Sequence, residues 1–253
     1  MARDFTLKAY AGIVDAALAA GYHPVGVGDW LDGFRPCEPV IVLRHDVDRR
    51  PEHALAMAHL EASRGILATY YFRTVGSAFN PAIIREIATL GHEIGYHYED
   101  FHLAKYDPAK AHALYLKNLG ALREIAPIRS IAMHGSPLAK YSNMELWNHR
   151  SFSESGVKDC ILSGDWSQFL FFTDTGRSFD ARLTNLRDTI GGKRVPGVAS
   201  SAAVGEHLQT YCPPLVQLSV HPERWSDRLW AWSRQLVVDT AANGVKVGLR
   251  ILR

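Results

Sequence analysis

Between residues 39 and 134 short apolar runs alternate with longer stretches whose apolar positions recur at helical spacing. Pro39 to Leu43, Ile66 to Arg73, His92 to Tyr98 and Ile128 to His134 read as strands. The segments between them read as helices with clear punctuation. Pro51 opens one that Gly65 closes, with Leu55, Ala58 and Ala62 on its apolar face. Asn80-Pro81 opens the next, with Ile83, Ile87 and Leu90 on one stripe before Gly91. Asp107-Pro108 opens a third, carrying Ala111, Leu114, Tyr115, Leu122 and Ile125. Strands recurring every 25 to 37 residues or about that, with capped helices between, predict βαβ units and a parallel sheet.

Outside this region the pattern is thinner. Tyr10, Ile13, Val14, Ala17 and Leu18 predict a first helix, and Gly21, Gly26 and Gly28 a loop. Val157 to Leu162, Phe169 to Thr173 and Leu215 to Val220 predict further strands. A helix containing Leu229, Trp230, Leu236 and Val237 should follow, with a closing strand at Val245 to Leu252.

Side chains on a strand point alternately to its two faces. One parity collects Arg44, Asp46 and Asp48; Thr69, Tyr71 and Arg73; Glu93, Gly95, His97 and Glu99; Ser130, Ala132 and His134; Gln217, Ser219 and His221. The other is mostly apolar: Leu43, Val47, Tyr70, Phe72, Ile94, Ile131, Met133, Leu218 and Val220, with His45 and His92 among them in packing roles. An open sheet covered by helices on both faces would be apolar on both parities. One polar parity therefore predicts a closed or nearly closed barrel, helices outside, with a polar mouth at the strand C-termini where such barrels place their sites.

Composition narrows the classes of function. Charge is nearly balanced, with 28 Lys+Arg against 26 Asp+Glu and 47% hydrophobic residues. No run of basic residues stands out, which argues against nucleic acid or an anionic membrane as the main partner. Cys37, Cys160 and Cys212 are scattered with no CxxC, as expected in a reducing compartment. Asp4 and Asp15 interrupt any secretory h-region, and no stretch approaches the ~18 apolar residues of a membrane span. A cytoplasmic location is the expectation, with oligomeric state left open.

Aspartate and neutral imidazole converging on one mouth suit zinc or another borderline divalent metal. Such a site lowers the pKa of a bound water, leaving further Asp and His side chains for proton transfer. His23, His53, His59, His112, His149 and His207 read as surface or packing residues.

Three segments carry a family resemblance: Arg44-His45-Asp46-Val47-Asp48, Gly91-His92-Glu93-Ile94-Gly95-Tyr96-His97 and Leu218-Ser219-Val220-His221-Pro222. They resemble the polysaccharide deacetylase superfamily (NodB-homology, carbohydrate esterase 4-like). Met133-His134-Gly135-Ser136-Pro137 and His45 to Pro51 resemble more narrowly its WbmS-type members from O-antigen gene clusters. The resemblance spans roughly residues 38 to 225. It implies an α/β chain forming one distorted (β/α)7 barrel domain over residues 1–253, and a metal-dependent hydrolase that removes N-acetyl groups from sugars. It maps the catalytic base onto Asp46, the general acid onto His221, and metal ligands onto Asp48 and His97. The family's second metal histidine lies four residues after the first, where this chain has Phe101, with His102 one step later. The family's base-orienting arginine beside a proline is replaced by His134-Gly135-Ser136-Pro137. His134 is taken as the third ligand; the alternative is that it holds Asp46.

Arg44, Arg73 and Glu99 share the mouth by parity and are assigned to substrate binding, the alternative being salt bridges within the lumen. Asp165 and Asp174 sit in loop-like contexts without an assigned role. The expected substrate is a nucleotide- or lipid-linked sugar of surface polysaccharide synthesis and the expected cofactor a divalent metal, zinc first. Two other readings are a hydrolase of a different C–N bond and a catalytically silent sugar-binding relative.

Overall fold

The fold is organised on one strand, β2 (Val40–Val47), whose eight residues are all buried. In the computed structural model, which describes residues 3–135, 139–180 and 191–251, every strand runs parallel to its neighbours. Along one edge of β2 lie β1 (His23–Gly26), paired with Val40 to Leu43, and then β3 (Thr69–Phe72), paired with Arg44 to Val47. Along the other lies β8 (Leu215–Val220). From β3 the sheet continues through β4 (Glu93–Tyr98) and β5 (Ile128–Met133) to β6 (Lys158–Asp159); from β8 it continues to β7 (Leu170–Thr173). The spatial order β6-β5-β4-β3-β2-β8-β7 is thus the chain order wrapped into a ring and broken between β6 and β7. The architecture is an α/β, distorted seven-stranded barrel with β1 as an extra strand.

Helices α1 (Leu7–Ala19), α2 (Val27–Leu31), α3 (Pro51–Ala62), α4 (Pro81–Thr89), α5 (Asp100–Leu103), α6 (Pro108–Arg123), α7 (Ser201–Tyr211) and α8 (Leu229–Ile251) fill the connections. Their starts follow local chemistry. Asn80 Oδ1 accepts from the backbone N–H of Ala82 and Ile83, and Asp107 Oδ1 from those of Ala109 and Lys110, each before a proline that has no N–H to satisfy.

The parity argument holds. Ile41, Leu43, Val47, Tyr70, Phe72, Ile94, Tyr96, Ile131, Leu218 and Val220 belong to the large core between sheet and helices. Val40, Val42, Tyr71, Ala132 and Phe171 join Trp30, Cys160 and Trp166 in a second core that fills the lumen. Gly95 belongs to this lumen set for a steric reason: a Cβ there would stand 2.3 Å from the Tyr71 ring. At the lower end Glu93 plugs the barrel, accepting from Gly28 N at 2.7 Å and Ser130 Oγ at 2.8 Å.

Three sequence expectations fail here. Residues 23–26 form β1 where a loop was expected, and β6 keeps only Lys158 and Asp159 of the strand expected over 157–162. The closing strand at 245–252 is helical through Ile251, as the last turns of α8. Alternating Val245, Val247, Leu249 and Ile251 mimic a strand, but β2 already has both edges filled, and extending a nucleated helix costs little.

Candidate active site

Six strands deliver polar side chains to the same C-terminal opening: Arg44 and Asp46 on β2, His97 on β4, and, within two residues beyond a strand end, Asp48, Arg73, Glu99, His134, Asp174 and His221.

Arg44 and Asp46, two apart on one face of β2, form a buried fork-to-fork pair. Arg44 Nε donates to Asp46 Oδ1 at 2.8 Å and Nη2 to Oδ2 at 2.7 Å. Burial alone would raise the Asp46 pKa; the guanidinium, with His97 and His221, outweighs it and holds the carboxyl below its ordinary range. Asp46 is therefore a carboxylate at neutral pH. Of the two readings of Arg44, substrate contact or lumen salt bridge, the structure shows the salt bridge: its guanidinium grips Asp46.

His97 is fully enclosed. Its Nδ1 lies 3.0 Å from the Ala132 carbonyl, which can only accept, so Nδ1 carries the hydrogen and Nε2 bears a lone pair. Burial, opposed by Asp46 and Asp48, pushes its pKa down to about 4, so the ring is neutral. That lone pair faces carboxylate oxygens: Asp48 Oδ1 at 3.5 Å and Asp46 Oδ2 at 3.7 Å. His134 brings its Nε2 to the same Asp48 Oδ1, also at 3.5 Å, while its Nδ1 meets Glu99 Oε2 at 3.1 Å. Burial works against protonation of His134, yet Asp48 and Glu99 raise its pKa to about 9. Asp48 Oδ1 is buried and has no hydrogen-bond partner among the described residues.

Among the described residues no three His, Cys, Asp or Glu side chains are already drawn together as a cage for an ion. The donor set nevertheless fits one. Two ligands at ~2.0–2.1 Å from a tetrahedral zinc stand roughly 3.4 Å apart, against the observed 3.5 Å for both pairs on Asp48 Oδ1. Each imidazole is also oriented by an acceptor on its far nitrogen, the usual support of a metal-bound histidine. Arg73 and Glu99 belong to this support. Arg73 Nε donates to Glu99 Oε1 at 2.6 Å and Nη1 to the Asp48 carbonyl at 3.3 Å, the salt-bridge alternative of the two readings given for this pair. His102 does not join: it is exposed on α5, with Nδ1 against the Tyr106 hydroxyl at 3.1 Å. Ser136 and Pro137 lie outside the described residues.

On the opposite wall stands a residue that the sequence left without a role. Asp174 follows β7, is completely buried, and takes four donors: His221 Nδ1 at 2.7 Å, His221 N at 2.9 Å, Arg224 Nη1 at 2.7 Å and Trp225 Nε1 at 2.8 Å. These hold its pKa down at about 2 against the cost of burial. Burial and Arg224 disfavour a charged His221, but Asp174 and Asp48 win and raise its pKa to about 9. The imidazolium thus persists at neutral pH, and its field reaches Asp46 and Asp48. The available signal was position: Asp174 closes its strand as Asp48 and His221 close theirs.

The opening therefore pairs a carboxylate on one side with an imidazolium on the other, flanking a set of oxygen and nitrogen lone pairs. Such an arrangement can activate water and protonate a leaving group. No known family profile matches the sequence, and no curated protein matches it. Among solved structures, a family 4 carbohydrate esterase from Bacillus anthracis superposes with a TM-score of 0.41 at 12% identity, over 91% of this chain and 84% of that one. A mutant of the peptidoglycan deacetylase PdaC from Bacillus subtilis gives 0.42 at 15% identity, over 82% and 98% respectively.

Proposed function

We propose that the chain is a divalent-metal-dependent hydrolase that removes the N-acetyl group from a carrier-linked sugar of surface polysaccharide synthesis. The observation that carries this reading is the approach of His97 Nε2 to Asp48 Oδ1 at 3.5 Å, two lone-pair atoms that repel unless a cation lies between them. Asp48, His97 and His134 would hold the ion, which would displace the Nε2 proton of the His134 imidazolium and leave the Nδ1 hydrogen directed at Glu99. When bound, it polarises the acetyl carbonyl and acidifies a water towards a pKa of ~7.

The rest falls to the chain's own groups. Asp46, ionised and kept in one orientation by Arg44, accepts the proton of the attacking water. The water oxygen bonds to the amide carbon and the C–N bond then breaks. His221 enters protonated and gives its Nε2 proton to the departing nitrogen, while Asp174 holds Nδ1 and stabilises the cation. Acetate and a free sugar amine result. Acetate release from N-acetylated sugars by the metal-loaded protein tests the reading. Turnover should appear in the wild type and vanish in a folded Asp46→Asn variant; equal turnover in that variant would overturn the role of Asp46.

A further inference from the structure

The sequence shows no basic run, yet folding makes a basic cluster. Arg49 and Arg50 from the β2–α3 connection meet Arg228 and Arg234 from the start of α8 around a cavity of about 900 Å³. Ser77, beyond β3, also lines it, so the cavity lies over the ends of β2, β3 and β8. Its link to the catalytic opening is short. Arg49 directly follows Asp48, and its Nη2 lies 3.8 Å from Glu223, two residues after His221.

The four guanidinium groups outnumber the carboxylates on the wall, Glu52 and Asp227. Arg50, Arg228 and Arg234 make no ion pair among the described residues, and Arg49 makes only the long contact to Glu223. Asp227 is occupied elsewhere, accepting from Lys8 N at 3.2 Å. One further feature favours an anion. The first turn of α3 opens on the cavity without a side-chain cap, its N-terminal dipole met there only by Glu52. His53 also lines the wall; burial lowers its pKa, so it adds no positive charge and the anion preference rests on the arginines. Trp230, 71% exposed, and Leu7 give the cavity an apolar part.

We infer that this cavity binds the diphosphate of the substrate's carrier, so that the sugar amide is presented to the opening from an anchored phosphate. Planar guanidinium groups match phosphate oxygens in bidentate geometry, and the volume suits a phosphorylated carrier rather than a single small ion. The inference rests on the proposed function for the sugar amide alone; the anion site stands on the arginines.

The test uses the full metal-loaded chain and calorimetric titration with inorganic pyrophosphate, UDP-N-acetylglucosamine and farnesyl-diphospho-N-acetylglucosamine in detergent. Pyrophosphate should bind. An Arg228→Gln/Arg234→Gln variant, altered only at exposed side chains, should bind roughly tenfold more weakly or worse. A second variant, Arg50→Gln, should weaken binding in the same direction. Preference for the nucleotide or for the prenyl compound identifies the carrier, and either agrees with the inference. Deacetylation of the preferred compound should show a raised KM with kcat retained in the arginine variants. Turnover of an uncharged N-acetylglucosamine oligomer should not change. Pyrophosphate affinity unchanged in both variants would place the anion on the metal and overturn the inference. So would tight binding of a single-stranded oligonucleotide with none of pyrophosphate. Absence of any deacetylation, with arginine-dependent pyrophosphate binding intact, would instead contradict the proposed function and leave the anion site standing.

Discussion

His221 Nδ1 stands 2.7 Å from Asp174 Oδ1, inside a cage where that carboxylate also accepts from Arg224, Trp225 and the His221 backbone. The cage sets the direction of the pH profile. With His221 raised to about 9, the protonated acid is present below that value and is lost as pH climbs through it. Asp174→Asn removes the group that raises it, while burial and Arg224 remain and push the other way. The alkaline limb should fall from near 9 to below the ordinary ~6.5, and kcat at pH 8 should drop about a hundredfold. A pH–rate series on both proteins checks this; an unmoved limb would remove Asp174 from the site.

Arg44 makes the corresponding statement for the base. In Arg44→Met the Asp46 carboxylate stays buried without its main cation, so its pKa should rise above the ordinary ~3.9 and not below it. The wild-type stabilisation from this pair is present above the unfolded pKa and is lost as pH falls through the depressed folded one. The variant should lose roughly 3–5 kcal/mol at neutral pH and show its acid limb displaced upward. Urea unfolding and the rate profile together measure both effects. Arg44→Lys should recover part of the stability but little of the orientation, since an ammonium cannot match two carboxylate oxygens.

These two pairs mark what the sequence could and could not show. Alternation along β2, β4 and β8 was enough to put Asp46, His97 and His221 into one lumen, because a strand has only two faces. The partner of a charged side chain was not readable, since Arg44 could point to substrate or to Asp46 with the same parity. Asp174 has the parity of Leu170 and Phe172, which pack in the outer core, so alternation would have placed it outside the lumen. The arginine cavity joins residues nearly 180 positions apart, Arg49 and Arg228, so no window along the chain contains it.

Behind the sheet, Glu61 on α3 was equally hidden, as a lone acid on an otherwise apolar face. It is completely buried and meets His45 Nε2 at 2.7 Å, Tyr70 at 2.6 Å and the Tyr10 hydroxyl. Glu61→Ala leaves three buried donors without an acceptor and should cost roughly 3–5 kcal/mol. Glu61→Gln, which keeps an acceptor, should cost less. Thermal unfolding ranks the two, and activity per folded molecule should be nearly that of the wild type, because the network lies outside the lumen.

Glu99 orients His134 without facing the proposed ion itself. Glu99→Gln should therefore fold normally and weaken metal affinity by roughly 10- to 100-fold. Competition with a zinc-binding dye gives the constant. Affinity equal to that of the wild type would mean that His134 is not a ligand.

The most direct measurement is metal stoichiometry on protein dialysed against zinc and then against buffer. The account predicts one divalent ion per chain, its loss in Asp48→Asn and His97→Ala, and acetate release that disappears with the ion and returns when it is restored. Full acetate release from metal-free protein, or no retained ion in a folded wild type, would contradict it.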